Sequence, residues 1–446
     1  MLYPATPLLT DLYQLTMLQG YFLNNMHAPA AFELFTRKFR KRNFLIAAGL
    51  DQVLTFLESL TFSSDEIDYL QKTGLFRDDF LDWLRELRFE GTVYAMPEGT
   101  VFFPNEPVLR VEAPMPQAQL VETRIVNLMH HQILVASKAA RCRLVAPEKL
   151  LVDFGLRRAH GGEAGLLAAR AAYLAGFDGS SNVMAGWLYG MPIYGTMAHS
   201  YIMAHDDELE AFRSFARANP ENVVLLIDTY DTLEAVEKVI RLAPELEEKG
   251  IRIKGVRLDS GDLLELSKAV RKRLDEAGLK PITIFASGDL DEYEIKRLLD
   301  GGAPIDGFGV GTRLTTSADL PYLNCAYKLQ EYASQPRRKK STGKQTWPGR
   351  KQVYRYYRED GTFDHDFLTL ADDTVEEGEP LLELVMLEGK RLHREDPVEI
   401  RNRVAEQLQK LPEELKVIDR EEHYRVEISP KLQALTEETD RRLGIG

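Results

Sequence analysis

Between residues 150 and 308 the chain repeats one unit: a short apolar, β-branched run, then a stretch with helical periodicity, at intervals of roughly 25 to 40 residues. The runs occupy residues 150–154, 191–194, 223–227, 251–256, 282–285 and 305–308. Strands separated by helices pair in parallel, because a hairpin can join only antiparallel neighbours. Six such runs predict an α/β barrel, complete or incomplete. In a barrel all strands finish at one end, so the residues that close each run share a rim where substrates bind. Those closing segments are polar or glycine-rich: residues 153–158, 195–199, 228–231, 259–262, 287–291 and 309–313.

The flanks read differently. Residues 50–89 are helical, with Leu50, Val53, Leu54 and Leu57 at helix spacing and a further apolar set at Leu81, Leu84 and Leu87. Residues 91–113 are strand-rich and broken by Pro97, Pro104 and Pro107, and residues 119–146 read as one long helix. Three domains are therefore expected: 1–145, 146–330 and 331–446. The last opens with a basic, turn-rich segment, 334–351, which reads either as a solvated loop or as a mobile flap over phosphates. Beyond it come a strand at 353–357 and charged helices, long enough to pack back on the N-terminal domain.

With 44% hydrophobic residues in 446, the chain can bury a large core. A net charge of -13 argues against a nucleic-acid partner, although a local basic pocket can still hold a small anion. Cys142 and Cys325 lie outside any CxxC spacing, so neither a disulfide framework nor a thiolate zinc site is expected, and a reducing cytosol is the natural compartment. Residues 1–20 lack a basic start, and no stretch nears the roughly 18 apolar residues of a membrane helix, so neither export nor insertion is expected.

Several rim segments carry chemistry. Asp259-Ser260-Gly261-Asp262 sets two carboxylates around a turn, suited to ribose hydroxyls or to magnesium, which takes oxygen ligands and often rides on substrate phosphates. The same residue types also make turns and helix N-caps. Ser287-Gly288-Asp289 and Gly309-Val310-Gly311-Thr312 follow the last two runs, where glycines let backbone amides approach a phosphate. Neither GxGxxG nor GxxxxGK[ST] occurs, which disfavours a dinucleotide fold and a P-loop. His199, in Gly195-Thr196-Met197-Ala198-His199, is placed to act as base, acid or phosphoryl acceptor, whereas His205 has no partner at metal-ligand spacing. Arg157, Arg158 and Arg257 supply guanidinium forks for a carboxylate or phosphate, and Tyr13 offers a ring that stacks or packs.

The segments Leu9-Thr10-Asp11-Leu12-Tyr13-Gln14-Leu15-Thr16-Met17, Ile46-Ala47-Ala48-Gly49-Leu50, Asp153-Phe154-Gly155-Leu156-Arg157-Arg158-Ala159 and Gly195-Thr196-Met197-Ala198-His199 together resemble nicotinate phosphoribosyltransferases. The resemblance continues through Val256-Arg257-Leu258-Asp259-Ser260-Gly261-Asp262, Gly309-Val310-Gly311-Thr312 and Pro348-Gly349-Arg350-Lys351-Gln352-Val353, and thins after Val375. It implies a type II phosphoribosyltransferase fold: an irregular TIM-like α/β barrel beside a split α/β sandwich made by both chain ends. It further implies a homodimer with sites near the subunit interface. The implied reaction joins nicotinate to the sugar of phosphoribosyl pyrophosphate, releases pyrophosphate and serves NAD salvage, with ATP as co-substrate and Mg2+ as cofactor.

By this resemblance Tyr13, Thr196 and Arg257 hold nicotinate, with Arg157 a further candidate, and which arginine meets the carboxylate stays open. Thr312 and the glycines Gly309 and Gly311 hold the sugar phosphate, with Ser260, Ser287 and Gly288 assigned to the same group. Asp259 and Asp262 join His199 as catalytic candidates, Asp262 also as a magnesium ligand, and His199 matches the histidine that ATP phosphorylates in the family. The scheme is coherent physically. An oxocarbenium-like sugar asks mainly for positioning and charge stabilisation, and a pyridine nitrogen needs no base to attack it. Rival readings are nicotinamide or quinolinate as the base, another phosphate-handling barrel enzyme, and an inactive binding protein. An aldolase would want a buried strand-end lysine, for which Lys254 is the candidate.

Overall fold

A computed structural model describes residues 6–445; residues 1–5, part of the segment read above for a leader, and residue 446 lie outside it. The chain divides into two compact units, one formed by residues 138–319 and the other by residues 1–137 with 320–446.

The unit 138–319 is built on six strands: β1 (Leu150–Asp153), β2 (Gly179–Ser180), β3 (Val223–Leu226), β4 (Ile253–Leu258), β5 (Thr283–Ser287) and β6 (Gly307–Val310). They lie in the order β2-β1-β6-β5-β4-β3, every adjacent pair parallel. Among the described residues no ladder joins β2 to β3, so the sheet is an open half-barrel. Five of the expected runs fall on β1 and β3 to β6, because a parallel sheet covered on both faces needs nearly continuous apolar strands. β6 is buried throughout. The run at 191–194 is a correction: only Ile193 makes a bridge, to Ser180. Pro192 has no N–H to give a ladder, and the place beside β1 goes to β2 instead. β2 has two residues, one of them glycine, and so leaves no apolar run to read.

Helices return the chain between these strands, and an aspartate opens each of the last four. Asp207, Asp231, Asp262 and Asp291 cap the helices Glu208–Ala218, Thr232–Glu247, Leu263–Glu276 and Glu292–Asp300, each side chain accepting from backbone N–H groups of the first turn. A cap of this kind is worth about 1 kcal/mol. These helices bury Phe212, Val239, Val270 and Leu298.

The other unit draws on both chain ends, as the split-domain expectation requires. Its seven-stranded sheet runs Gln335–Pro336, Cys325–Tyr332, Pro29–Thr36, Pro107–Pro114, Thr92–Ala95, Glu383–Leu387, Lys390–Arg391, with antiparallel neighbours throughout. A second sheet holds Glu379–Pro380, Lys351–Tyr357, Phe363–Leu370 and Val426–Ile428. The helical stretch at 50–89 is three helices, Leu50–Glu58, Ser64–Lys72 and Asp78–Glu86, the second started by a Ser63–Glu66 capping box. The long helix is Glu122–Val145, preceded by a short one, Met115–Leu120. In the basic segment, Arg338 and Lys340 pair with Asp440, Arg350 pairs with Asp372 and Lys351 with the buried Glu33. Among the described residues, no helix is long and apolar enough to cross a membrane.

Candidate active site

Parallel strands put the C-terminal ends of β1 to β6 on one edge, and there the candidate side chains converge. Arg257, from the end of β4, donates from Nε to Ser287 Oγ (2.9 Å), from Nη2 to Asp259 Oδ1 (2.7 Å) and from Nη1 to the Met197 carbonyl (3.2 Å) and Thr196 Oγ1 (3.4 Å). Its guanidinium carbon lies 5.4 Å from the centre of the Phe154 ring, which follows β1. Ser287, the last residue of β5, also donates to Asp259 Oδ1, so the ends of β4 and β5 are tied in one network.

Asp259 feels opposing influences. Burial pushes its carboxyl up, but the hydrogen bonds from Ser287 and Arg257, the charge of Arg257 and that of His199 outweigh it and hold the group below the usual carboxylate value. It is therefore an anion at neutral pH. Gly288 explains how Asp259 comes so close: at φ +97 a side chain is disfavoured, and a Cβ there would lie 2.1 Å from the Asp259 carbonyl oxygen. Gly309 has a comparable cause, since a Cβ at that position would meet the Phe154 ring at 2.5 Å. Glycine at 309 thus makes room for an aromatic wall of the site as well as for any approaching ligand.

His199 starts a short helix, with Nδ1 3.2 Å from Thr229 Oγ1 and Nε2 3.8 Å from Asp259 Oδ2 and 4.0 Å from Asp228 Oδ1. Asp228 had no place among the candidates read from sequence. Its Oδ2 accepts from the Asp259 N–H (3.0 Å) and from Ser260 Oγ, while Oδ1 is buried without a hydrogen-bond partner. An unsatisfied buried carboxylate oxygen is costly, and such groups concentrate at sites that do chemistry. The available signal was position: Asp228 is the first polar residue after the apolar run of β3. Phe154 could be found in the same way, as the first residue beyond β1. Asp153 before it is buried; burial raises its pKa, and hydrogen bonds from Ser180 and the Gly155 N–H counter only part of that rise.

The structure therefore brings Thr196, His199, Arg257, Asp259, Ser260, Ser287 and Gly288 together. Asp262 stands apart in role: its Oδ1 accepts from the Leu264 and Glu265 N–H groups as a helix cap. Thr312 is exposed at the start of a single turn after Gly311, beside Arg313, which pairs with Asp291 at 3.1 Å. Arg157 and Arg158 are exposed on a 3-10 turn after β1. Tyr13 belongs to the other unit, where it is 48% exposed and lines a 420 Å³ cavity with Glu122, Thr123, His130 and Lys328. Lys254 is exposed near the start of β4, away from the rim, which removes the aldolase candidate.

A half-barrel of parallel strands with arginine, carboxylate and histidine at its carboxyl edge belongs to the class of α/β enzymes that bind phosphorylated substrates at strand ends. Comparison with known proteins narrows the class. Family models match in order along the chain: the nicotinate phosphoribosyltransferase N-terminal domain at 8–130, the nicotinate phosphoribosyltransferase family at 150–352 and the C-terminal domain at 374–436. Nicotinate phosphoribosyltransferase pncB2 of Mycobacterium tuberculosis is 48% identical over 415 residues, 92% of this chain and 89% of that protein. The Bacillus subtilis nicotinate phosphoribosyltransferase is 37% identical, over 94% of this chain and 92% of its own. The crystal structure of human nicotinic acid phosphoribosyltransferase superposes with a TM-score of 0.87 at 32% identity, covering 96% of this chain and 99% of that one. This chain belongs to the nicotinate phosphoribosyltransferase family.

Proposed function

We propose that this protein forms nicotinate mononucleotide and pyrophosphate from nicotinate and phosphoribosyl pyrophosphate, as a cytosolic homodimer in NAD salvage, with ATP hydrolysis coupled through His199. The observation that carries the reading is the Arg257 fork beside Phe154: a guanidinium 5.4 Å from an aromatic face suits a flat ring bearing a carboxylate. Thr196, Arg157 and Tyr13 are the further candidates for the ring and its carboxylate. Family membership supports the same substrate pair, since the relatives carry that name.

Asp259, held as an anion, suits ribose hydroxyls and the positive charge that develops on the sugar. Ser260, Ser287, Gly288, Gly309, Gly311 and Thr312 are the candidate phosphoribosyl contacts. No group of three or more His, Cys, Asp or Glu among the described residues is arranged to hold a metal. Magnesium carried on the pyrophosphate needs few protein ligands, and Asp259 and Asp262 are the candidate carboxylates for it.

His199 is 38% exposed at its side chain, open enough to be reached by a nucleotide. In the coupled step a ring nitrogen takes the γ-phosphoryl group, the bond to ADP breaks with its electron pair on the ADP oxygen, and water later releases phosphate. A phosphohistidine carrying roughly one to two negative charges beside Asp228 and Asp259 would alter pyrophosphate affinity and so couple ATP to product formation. The homodimer is supported by an apolar patch in the same unit as His199: Val183, Trp187, Leu188, Ile193 and Tyr194 are all exposed, Trp187 by 77%.

The test mixes protein, phosphoribosyl pyrophosphate, magnesium and ATP with nicotinate, nicotinamide or quinolinate in turn. Mononucleotide from nicotinate alone, faster with ATP, is expected; product only from another base overturns the specificity. For the coupling, His199→Ala should keep basal transfer and lose both ATP stimulation and the phosphoryl label. Loss of the label with full ATP stimulation refutes the phosphohistidine route.

A further inference from the structure

We propose that Lys138 is a positioning residue: a buried cation that holds in register the two strand-end loops after β5 and β6. The inference rests on the reading above that these loops meet the phosphates of the sugar donor. The Lys138 side chain is 0% exposed, and its Nζ lies 2.6 Å from Glu292 Oε2 and 2.7 Å from Asp319 Oδ1. Glu292 is the first residue of the helix that follows β5 and closes the loop carrying Ser287 and Gly288. Asp319 follows the turn Thr312–Thr315 after β6 and closes the loop carrying Gly311 and Thr312. One ammonium group therefore bridges the exits of both loops.

The bridge is reinforced on each side. Arg141, one turn further along the helix that holds Lys138, takes the other oxygen of Glu292 at 2.9 Å and donates to the Tyr293 hydroxyl at 2.7 Å. Nearer solvent, Arg313 of the β6 loop pairs with Asp291 of the β5 loop at 3.1 Å, so the two loops are linked twice. Lys138 and Arg141 balance Glu292 and Asp319 in formal charge.

An ion network at this depth gains little stability over an apolar core of the same shape. What it adds is direction: Lys138 meets a carboxylate from each loop, and a loop that moves draws its carboxylate away from that buried cation. The consequence falls on the phosphate contacts, because displacing such groups by about 1 Å can cost on the order of 100-fold in turnover.

Two variants test this, Asp319→Asn, which weakens only the β6 arm, and Lys138→Met, which removes both. Steady-state KM is measured separately for phosphoribosyl pyrophosphate and nicotinate, and affinity for magnesium pyrophosphate by calorimetry. For Asp319→Asn the expected result is a KM for the sugar donor raised about tenfold or more, a parallel loss of pyrophosphate affinity, and a nicotinate KM within about twofold of the parent. Lys138→Met, which also frees the loop of Ser287 and with it Arg257, should raise both KM values. In Asp319→Asn, equal rises in both KM values would show general loosening and overturn the proposal, as would an unchanged donor KM in either variant when folded. If Lys138→Met does not fold, Asp319→Asn alone decides by the same criteria. A parent protein that binds pyrophosphate but makes no mononucleotide would refute the activity while leaving pyrophosphate affinity in Asp319→Asn to judge the positioning role.

Discussion

Gly288→Ala should cost activity as well as stability, and the structure gives the size of the effect. At φ +97 an alanine pays a conformational penalty of about 1–2 kcal/mol. The larger problem is contact: its Cβ would sit 2.1 Å from the Asp259 carbonyl oxygen, where ordinary contact begins at 3.4 Å. The backbone of residue 259 or 288 must give by roughly 1.3 Å, the difference between those distances. Asp259 holds Arg257 at 2.7 Å and accepts from Ser287, so the shift spreads through all three. A displacement of that size in a positioning network costs on the order of 100-fold in kcat/KM, or about 2.7 kcal/mol of transition-state stabilisation. Gly302→Ala is the control. Gly302 also has positive φ, +73, but a Cβ there meets nothing within 4 Å. It should lose about 1 kcal/mol of stability and keep parental kinetics. Initial rates of mononucleotide formation and thermal midpoints of the two variants decide the matter: equal activity in both would refute the close-approach argument.

Three further perturbations follow from the same geometry. Arg257→Gln removes the first-rank cation from Asp259, whose pKa should relax upward; the acid limb of the rate profile should then move to higher pH, with kcat/KM down at least about 100-fold, and an unmoved acid limb would deny the coupling. Glu106 is fully buried, and burial first, then the charge of Asp366, push its carboxyl well above 4.5, against the pull of Arg355 and the Phe103 N–H. A raised folded value means stability that is present below the ordinary value and lost as pH rises through the folded one, so Glu106→Gln should gain thermal midpoint over the parent increasingly from about pH 4.5 towards neutrality; a gap that is constant or shrinks would refute it. Arg355→Met strips the buried partner that meets Asp366 Oδ1 at 2.9 Å and Oδ2 at 2.6 Å, and chemical denaturation should register a loss of about 3–5 kcal/mol.

The rim of the half-barrel could be read from sequence because two regularities coincide there: buried parallel strands are continuous apolar runs, and the segment that closes each run is polar or glycine-rich. Sequence could not say which polar residue of each loop faces the site, since aspartate serves equally as an N-cap and as a ligand-facing carboxylate. The structure resolves the ambiguity by position. In the loop after β3, Asp228 turns to His199 and Asp231 caps the next helix; after β4, Asp259 meets Arg257 and Asp262 caps; after β5, Ser287 joins the network and Asp291 caps. The residue at the strand end is held by the sheet, whereas the one that follows within a single turn must satisfy the orphan N–H groups of a new helix. That division explains why Asp262 looked equivalent to Asp259 in sequence and differs from it in the fold. It also explains why Lys138 could not be seen. Its partners, Glu292 and Asp319, are far away in sequence, and a lysine within an apolar helix leaves no local pattern. Only the closure of β5 against β6 brings those carboxylates to it, so its role is a property of topology.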